Sequence, residues 1–216
     1  SALYDLNSQC DIYPDTGGLI TEYGVEVLPT SPTFLNLLCL SHQNEHYDLS
    51  SLKVITYGSE PMTPTILSRV QKVFPDVKII QKYGLSELGS PRSESKKENS
   101  LWIKIKDHHC QTKIVDNVLW IKSKSTMLGY LNVPASNPSD GWFSTGDEVQ
   151  VDGDWIKILG RKSDLIIVGG EKVYPSEVES VLLEMLNIKD VTVNGEAHSL
   201  MGNIVVAKVH LCEPCE

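Results

Sequence analysis

The sequence lacks any long apolar run. Its longest such stretches include Phe34–Leu40 and Leu165–Val168, far short of the roughly 20 residues that a membrane-spanning helix needs. The first residues also lack a basic stretch followed by an apolar one, which is the pattern of a secretory signal. These absences predict a cytoplasmic protein without a membrane span.

Basic residues are scarce relative to acidic ones. The 216 residues contain 19 Lys and Arg against 28 Asp and Glu, which gives a formal net charge of −9. Such a chain tends to repel the phosphate backbone of nucleic acids and anionic lipid surfaces. The composition therefore predicts that nucleic acid is not a partner.

Cysteine is infrequent, and the five cysteines are an odd, scattered set, as in proteins of reducing compartments. Cys212 and Cys215 form a Cys-x-x-Cys pair near His210, a spacing that zinc or redox sites use. A structural zinc site needs four ligands, and the sequence has no second pair of this kind. Free thiols are the preferred interpretation, and a metal or redox site is the alternative.

The hydrophobic pattern divides the chain into three regions and predicts an α/β fold. In residues 1–99, β-like runs alternate with helical patterns, as in parallel βαβ units. Residues 100–160 contain short strands broken by turns, typical of a small antiparallel barrel-like unit. Residues 161–216 are predicted to form a small α+β unit.

The same pattern predicts individual elements. Strands are expected at Lys53–Tyr57 and Val77–Ile80. Helices are expected at Pro32–Leu40 and at Pro61–Phe74, and in the second of these apolar residues recur at helical spacing. The segment Gly89–Ser100 is predicted to be a surface loop or a boundary, because it is rich in serine and charge. Gly141–Asp147 is predicted to place an Asp after a Thr-Gly turn.

Two motifs follow predicted strands of the first region. Tyr57–Pro61 reads Tyr-Gly-Ser-Glu-Pro, and Gln81–Glu87 reads Gln-Lys-Tyr-Gly-Leu-Ser-Glu. Ligands of open α/β sheets bind beyond the carboxyl ends of strands, where glycine lets the backbone approach the ligand. A tyrosine can stack on a base and a carboxylate can hold Mg²⁺. Ordinary turns with a helix cap are the alternative interpretation of each motif alone.

Two further motifs lie in the second and third regions. Asp147 ends Gly-Trp-Phe-Ser-Thr-Gly-Asp, and an acidic residue at such a position can accept hydrogen bonds from ribose hydroxyls. Gly160–Asp164 reads Gly-Arg-Lys-Ser-Asp, in which the arginine can reach phosphate or ribose oxygens. It is followed by a Gly169-Gly170 pair and by Tyr-Pro-Ser-Glu-Val-Glu at 174–179.

Taken in order, these four motifs resemble those of the acyl-adenylating superfamily, which includes acyl- and aryl-CoA ligases, luciferase and the adenylation domains of peptide synthetases. The resemblance runs from about residue 25 to the end of the chain. It implies that residues 1–99 are a partial βαβ layer of a larger subdomain, and that residues 161–216 comprise a hinge and a truncated C-terminal α+β subdomain. It implies activation of a carboxylic acid by ATP with Mg²⁺, release of pyrophosphate, and transfer of the acyl group to the thiol of CoA or of a carrier protein.

The resemblance also implies roles for individual residues. Tyr83 would stack on adenine, Asp147 would bind the ribose hydroxyls, and Arg161 would bind the ribose or a phosphate. Ser86 stands where a threonine usually contacts the α-phosphate, and Glu87 would assist Mg²⁺. Gly58, Ser59 and Glu60 match the segment beside adenine. Ser163 matches the hinge, and Gly169 and Gly170 match the loop that lines the pantetheine tunnel.

Two expected parts are missing from the 216 residues. No Ser/Thr/Gly-rich loop for the ATP β- and γ-phosphates occurs, and no lysine matches the catalytic one near the end of family members, since Lys208 falls in a strand-like run. The leading hypothesis is therefore a catalytically incompetent fragment of a CoA ligase-like enzyme. The alternatives are a short nucleotide-binding or interaction paralogue without turnover and an adenylation domain of a peptide synthetase.

Overall fold

The computed structural model describes residues 16–97, 100–129, 131, 140–185 and 187–211, and the Cys212–Cys215 pair lies outside them. Three sheets and four α-helices make up the described part. The helices are α1 (Thr16–Tyr23), α2 (Pro32–Leu40), α3 (Pro64–Val73) and α4 (Pro175–Leu182). The helices and the three sheets together confirm the α/β fold class.

The first sheet is parallel, as the alternating pattern predicts. Its three strands lie in chain order, with α2 and α3 as the crossovers. They are β1 (Val27–Thr30), β2 (Val54–Tyr57) and β3 (Lys78–Gln81). Apolar side chains of the strands and helices form one core cluster that includes the fully buried Leu35, Ile55 and Val70. Because all three strands run the same way, their carboxyl ends meet at one edge of the sheet.

Side-chain caps fix where the crossover helices begin. The Thr63 Oγ1 accepts a hydrogen bond from the Ile66 N–H at 3.2 Å, and Pro64 occupies the first turn, where its missing N–H has no structural cost. Helix α3 therefore begins three residues later than the sequence pattern predicts, and Gly58–Met62 remains free to line the edge of the sheet.

The second sheet is antiparallel and curls into half a barrel, in agreement with the predicted β unit. Its strand order is β4-β5-β9-β8-β7-β6. The ranges are β4 (Ser93–Ser95), β5 (Trp102–Ile105), β6 (Cys110–Val115), β7 (Val118–Ser123), β8 (Phe143–Asp152) and β9 (Trp155–Arg161).

Two local predictions for this sheet need correction. Gly89–Ser100, predicted to be a surface loop or a boundary, lies between the parallel and the antiparallel sheet but contains β4. Pairing with β5 organises these serine-rich residues, which have little strand signal of their own. Asp147 lies inside β8 rather than after a turn, directly opposite Arg161 of β9. The Thr-Gly pair that suggested a turn instead lies where the register of β8 with β7 is irregular, and Gly146 has a φ of 75°, a value that glycine adopts readily.

The third sheet and α4 form the predicted α+β unit at the end of the chain. The strand order is β11-β10-β13-β12, and a long hairpin of the last two strands dominates the sheet. The ranges are β10 (Ile166–Val168), β11 (Glu171–Val173), β12 (Ile188–His198) and β13 (Gly202–Leu211). Helix α4 contacts α3, where the Thr65 hydroxyl donates a 2.9 Å hydrogen bond to the Ser180 carbonyl oxygen.

A buried carboxylate connects the second and third sheets. Glu148 of β8 is fully buried and accepts a 2.6 Å hydrogen bond from the Tyr174 hydroxyl, while the Lys172 Nζ lies 3.3 Å from its other oxygen. We call these three residues the Glu148 cluster. The tyrosine hydrogen bond lowers the pKa of Glu148, and the Lys172 charge acts in the same direction. The ionised carboxylate therefore stabilises this junction.

Candidate functional site

The carboxyl edge of the parallel sheet carries the first candidate residues. The chain turns away from β2 at Gly58 and from β3 at Lys82, so that the two Gly-containing motifs lie side by side. Between them opens a groove of about 360 Å³, here called the edge groove. Its lining comprises Pro29, Thr30, Thr56, Tyr57, Gly58, Ser59, Lys82, Tyr83, Gly84, Leu85, Gly89 and Ser90.

Two glycines permit this close approach of the backbone. A Cβ added to Gly58 would lie 2.8 Å from the Lys82 carbonyl oxygen, and one added to Gly84 would lie 2.9 Å from the Gly89 carbonyl oxygen. Both contacts are with backbone atoms, which cannot rotate away. The site therefore depends on glycine for close packing of two turns, in addition to any approach to a ligand.

Gly58→Ala should destabilise the protein by about 2 kcal/mol, because overpacking against backbone atoms forces the two turns apart. Chemical denaturation monitored by circular dichroism would measure the loss in the free energy of unfolding. Ser68→Ala, an exposed position on α3, is the control and should change stability by less than about 0.5 kcal/mol. An unchanged Gly58→Ala midpoint would contradict the steric argument.

A second, narrower opening separates the first and second sheets. This intersheet cleft has a volume of about 70 Å³. Its lining comprises Ser59, Glu60, Pro61, Gln81, Lys82, Tyr83, Gly84, Leu85, Asp147, Ile158, Gly160 and Arg161. The cleft brings together five of the residues selected from the sequence: Ser59, Glu60, Tyr83, Asp147 and Arg161. Gly58 lines the neighbouring edge groove.

Tyr83, Asp147 and Arg161 form the polar centre of the intersheet cleft. The Tyr83 hydroxyl donates a 2.6 Å hydrogen bond to the Asp147 Oδ2, and the Arg161 Nε lies 3.8 Å from the Oδ1. Tyr83 is 6% exposed and Asp147 is also 6% exposed, whereas the Arg161 side chain is 59% exposed. A buried acceptor thus lies beside an accessible cation.

Burial raises the pKa of Asp147, while the Tyr83 hydrogen bond and the Arg161 charge oppose that shift. Burial and the adjacent Asp147 also raise the pKa of Tyr83, which keeps its hydroxyl protonated as a donor. The arrangement can accept hydrogen bonds from a neutral polar ligand and can attract a negatively charged one through Arg161.

The Ser59-Glu60 turn lies at the mouth of the cleft. Ser59 has a φ of 75°, a left-handed conformation that is uncommon for serine, and it is exposed. Glu60 is exposed, and its carboxylate accepts a 2.7 Å hydrogen bond from the Thr33 N–H at the start of α2. This carboxylate therefore holds the turn against α2, beside the cleft that Ser59 and Glu60 line.

Ser86 and Glu87 lie in a tight turn closed by the Leu85–Gly89 bridge. They line neither the edge groove nor the intersheet cleft. Ser86 is exposed and Glu87 is half-buried. Their assignment to phosphate and Mg²⁺ stays a prediction.

The other predicted residues lie outside the cleft as well. Ser163 is in a short 3₁₀ turn after β9, where its hydroxyl donates to Asp164 at 2.8 Å. Gly169 and Gly170 form the turn between β10 and β11, with φ values of 56° and 97°. The hinge and tunnel roles of these residues remain predictions.

Several lining residues lie outside every motif of the sequence. Ile158 of β9 lines the intersheet cleft, and Thr30 at the end of β1 lines the edge groove. Thr30 had a signal in the sequence, because it ends β1, and the neighbouring strand β2 ends at the Tyr57–Pro61 motif. Ile158 had none, because a strand isoleucine is ordinarily a core residue.

Among the described residues, no group of three or more His, Cys, Asp or Glu side chains could hold a metal ion. A magnesium ion that arrives with a nucleotide keeps water and phosphate ligands and needs only one or two carboxylates, a requirement that Glu87 could meet. Within the same residues, no helix is long and apolar enough to cross a membrane.

Comparison with known proteins gives consistent matches. The family model described as AMP-binding enzyme matches residues 8–131. The chain is 31% identical to 4-coumarate–CoA ligase 1 of Arabidopsis thaliana over 88% of its length, and 31% identical to a long-chain-fatty-acid–CoA ligase of Bacillus subtilis over 91%. In both cases it covers 38% of the relative, so the chain spans about two fifths of these proteins.

A solved structure shows the same fold. ATP-bound MatB from Rhodopseudomonas palustris aligns with 89% of this chain at a TM-score of 0.75 and 24% identity, and the match covers 42% of that structure. The parallel sheet, the curled antiparallel sheet and the final α+β unit therefore follow an arrangement that is already known.

Proposed function

Because the chain belongs to the adenylate-forming family of AMP-binding enzymes, we propose that it is the nucleoside-holding segment of an ATP-dependent acid–thiol ligase. In this proposal the parent enzyme joins a carboxylic acid to AMP and then transfers the acyl group to CoA. The arrangement of Tyr83, Asp147 and Arg161 in one cleft carries the proposal. The three residues come from distant parts of the sequence and meet beside the edge where α/β sheets bind ligands.

The chemistry of the cleft suits a nucleoside. Each carboxylate oxygen has more than one acceptor site, so that Asp147 can hold Tyr83 and still accept both ribose hydroxyls. The Arg161 guanidinium is exposed and can reach ribose or phosphate oxygens. The adjoining edge groove, with its mixed polar and apolar lining, is our proposed place for adenine or the carboxylic acid.

The proposed reaction also requires groups that hold the ATP β- and γ-phosphates. Stabilising a leaving pyrophosphate is a large part of catalysis in such a reaction, and the 216 residues contain no Ser/Thr/Gly-rich phosphate loop. We therefore propose that this chain binds nucleosides without turning over ATP, and that the reaction needs segments comparable to the rest of its relatives.

The 216-residue chain should bind AMP and ATP with affinities within about threefold of each other, since it recognises the nucleoside and lacks donors for the outer phosphates. Isothermal titration calorimetry would compare the two nucleotides. Carboxylate-dependent ATP–pyrophosphate exchange should be undetectable with the chain alone. Failure to bind AMP would contradict the nucleoside site, whereas measurable exchange would contradict the incompetence of the isolated chain.

A second candidate function is a nucleotide-binding or interaction module that acts without any catalytic partner segment. The missing phosphate loop favours this module as much as it favours a segment of a ligase. Sequencing the full reading frame separates the two candidates, because only the ligase requires a phosphate loop and a catalytic lysine elsewhere in the protein. A carrier domain encoded downstream would instead favour an adenylation domain of a peptide synthetase over a CoA ligase.

A further inference from the structure

The hydrogen bond between Tyr83 and Asp147 joins two different sheets. Tyr83 follows the end of β3 in the parallel sheet, and Asp147 lies within β8 of the antiparallel sheet. Their side chains meet at 2.6 Å although 64 residues separate them in the sequence. No other hydrogen bond reaches a carboxylate oxygen of Asp147 among the side-chain bonds of the described residues.

Asp147 is held on several sides. The Tyr83 hydroxyl fixes the Oδ2, the Arg161 Nε faces the Oδ1 at 3.8 Å, and the Asp147 N–H donates to the Thr145 hydroxyl at 3.1 Å. The Thr145 hydroxyl in turn donates to the Leu119 carbonyl oxygen of β7 at 2.8 Å. The first two contacts hold the Asp147 carboxylate, the last two hold the backbone that carries it, and Asp147 lines the intersheet cleft.

From this geometry we infer that Tyr83 is a positioning residue whose hydroxyl orients the Asp147 carboxylate for a vicinal diol. The inference rests on the proposed nucleoside site and deepens it. A carboxylate oriented in advance loses less conformational freedom on binding, and affinity rises accordingly. This role is separate from any stacking by the aromatic ring, because it depends on the hydroxyl alone.

Tyr83→Phe separates the two roles, since phenylalanine keeps the ring and removes the hydroxyl. The probes are adenosine and 2′,3′-dideoxyadenosine, which share a base and differ in the diol. The wild-type chain should bind adenosine more tightly than the dideoxy analogue. In the variant, the affinity for adenosine should fall about tenfold, and that for the analogue should change by less than about twofold.

A pH profile provides a second readout that a merely structural role would not move. The Tyr83 hydrogen bond lowers the pKa of Asp147 against the effect of burial. Without the hydroxyl, Asp147 should take up its proton at a higher pH, so the loss of adenosine affinity on acidification should begin at a higher pH. Tyr23→Phe, at an exposed position on α1, is the control and should match the wild-type chain in both measurements.

The outcomes distinguish the inference from the proposed function. Equal weakening of both ligands by Tyr83→Phe would assign the residue to stacking or packing and overturn the positioning role. Unchanged binding of both ligands would overturn it as well. A wild-type chain that bound both nucleosides equally would instead contradict the ribose-binding role of Asp147, on which the proposed function depends.

Discussion

Asp147→Ala should lower the affinity of the chain for adenosine about 100-fold. A hydrogen bond to a charged group contributes about 1.5–3 kcal/mol, and each 1.4 kcal/mol corresponds to a factor of ten. The substitution removes the acceptor for both ribose hydroxyls at a position where few waters can replace it, because Asp147 is buried. Calorimetric titration with adenosine would measure the change.

The fold should survive this substitution with a loss of about 1–3 kcal/mol, because the buried Tyr83 hydroxyl loses its acceptor. Burial raises the pKa of Asp147, which means that the ionised carboxylate is less favourable in the folded protein than in the unfolded chain. Asp152→Ala is a matched control on the same strand, since Asp152 is exposed and pairs with Lys96 instead. The control should bind adenosine as the wild-type chain does.

The same carboxylate sets the expected pH dependence of binding. Ribose hydroxyls donate to the ionised form, so adenosine affinity should fall as the pH drops through the raised pKa of Asp147. Asp147→Ala should show weak binding that no longer changes over that interval. A pH-dependent affinity that persisted in the variant would identify another titrating group and contradict the assignment.

Glu148→Ala should destabilise the protein by about 3 kcal/mol. The substitution leaves a cavity at a fully buried position and leaves the Tyr174 hydroxyl without its acceptor, two effects that each cost about 1–3 kcal/mol. It also removes the ion pair with Lys172 that joins the second and third sheets. Urea unfolding monitored by circular dichroism would give the difference in the free energy of unfolding.

The effect of Glu148→Ala should depend on pH in a defined direction. The folded-state pKa of Glu148 is lowered from the ordinary value of 4.5, so its stabilising contribution is present above that pH. The contribution is lost as the pH falls below about 4.5 and through the lowered pKa. The difference in the free energy of unfolding between wild type and variant should therefore be largest near neutral pH and should shrink on acidification.

Two further variants sharpen this test. Glu196→Ala, at an exposed position on β12, should change stability by less than about 0.5 kcal/mol. Glu148→Gln keeps the volume and an acceptor oxygen, so we expect a loss intermediate between wild type and Glu148→Ala. Equal stability of Glu148→Ala and wild type would show that the cluster does not hold the two sheets together.

Local patterns predicted most of the elements. The sequence pattern predicts the helix at Pro32–Leu40 with its observed bounds, and in the structure the Ser31 hydroxyl caps its start next to Pro32. The strands at Val54–Tyr57 and Lys78–Gln81 were predicted to within one residue, since buried parallel strands appear as short apolar runs. Such features depend on neighbours in the sequence and are visible without a structure.

Elements that depend on distant partners were not predictable in this way. Strand β4 has little strand propensity and forms because β5 supplies its hydrogen bonds. Asp147 was predicted to follow a turn, yet it lies within β8, whose extent is decided by pairing with β7 and β9. Propensity is a weak guide where cross-strand pairing determines the backbone conformation.

The candidate site shows the same division. The sequence by itself determined the family resemblance and the identities of Tyr83, Asp147 and Arg161, because motif residues at fixed spacing are visible in one dimension. Only the tertiary structure decided that the Tyr83 hydroxyl bonds to Asp147, while the neighbouring Glu148 bonds to Tyr174. Alternation along β8 sends adjacent carboxylates to different partners, and the identity of those partners depends on how three sheets pack.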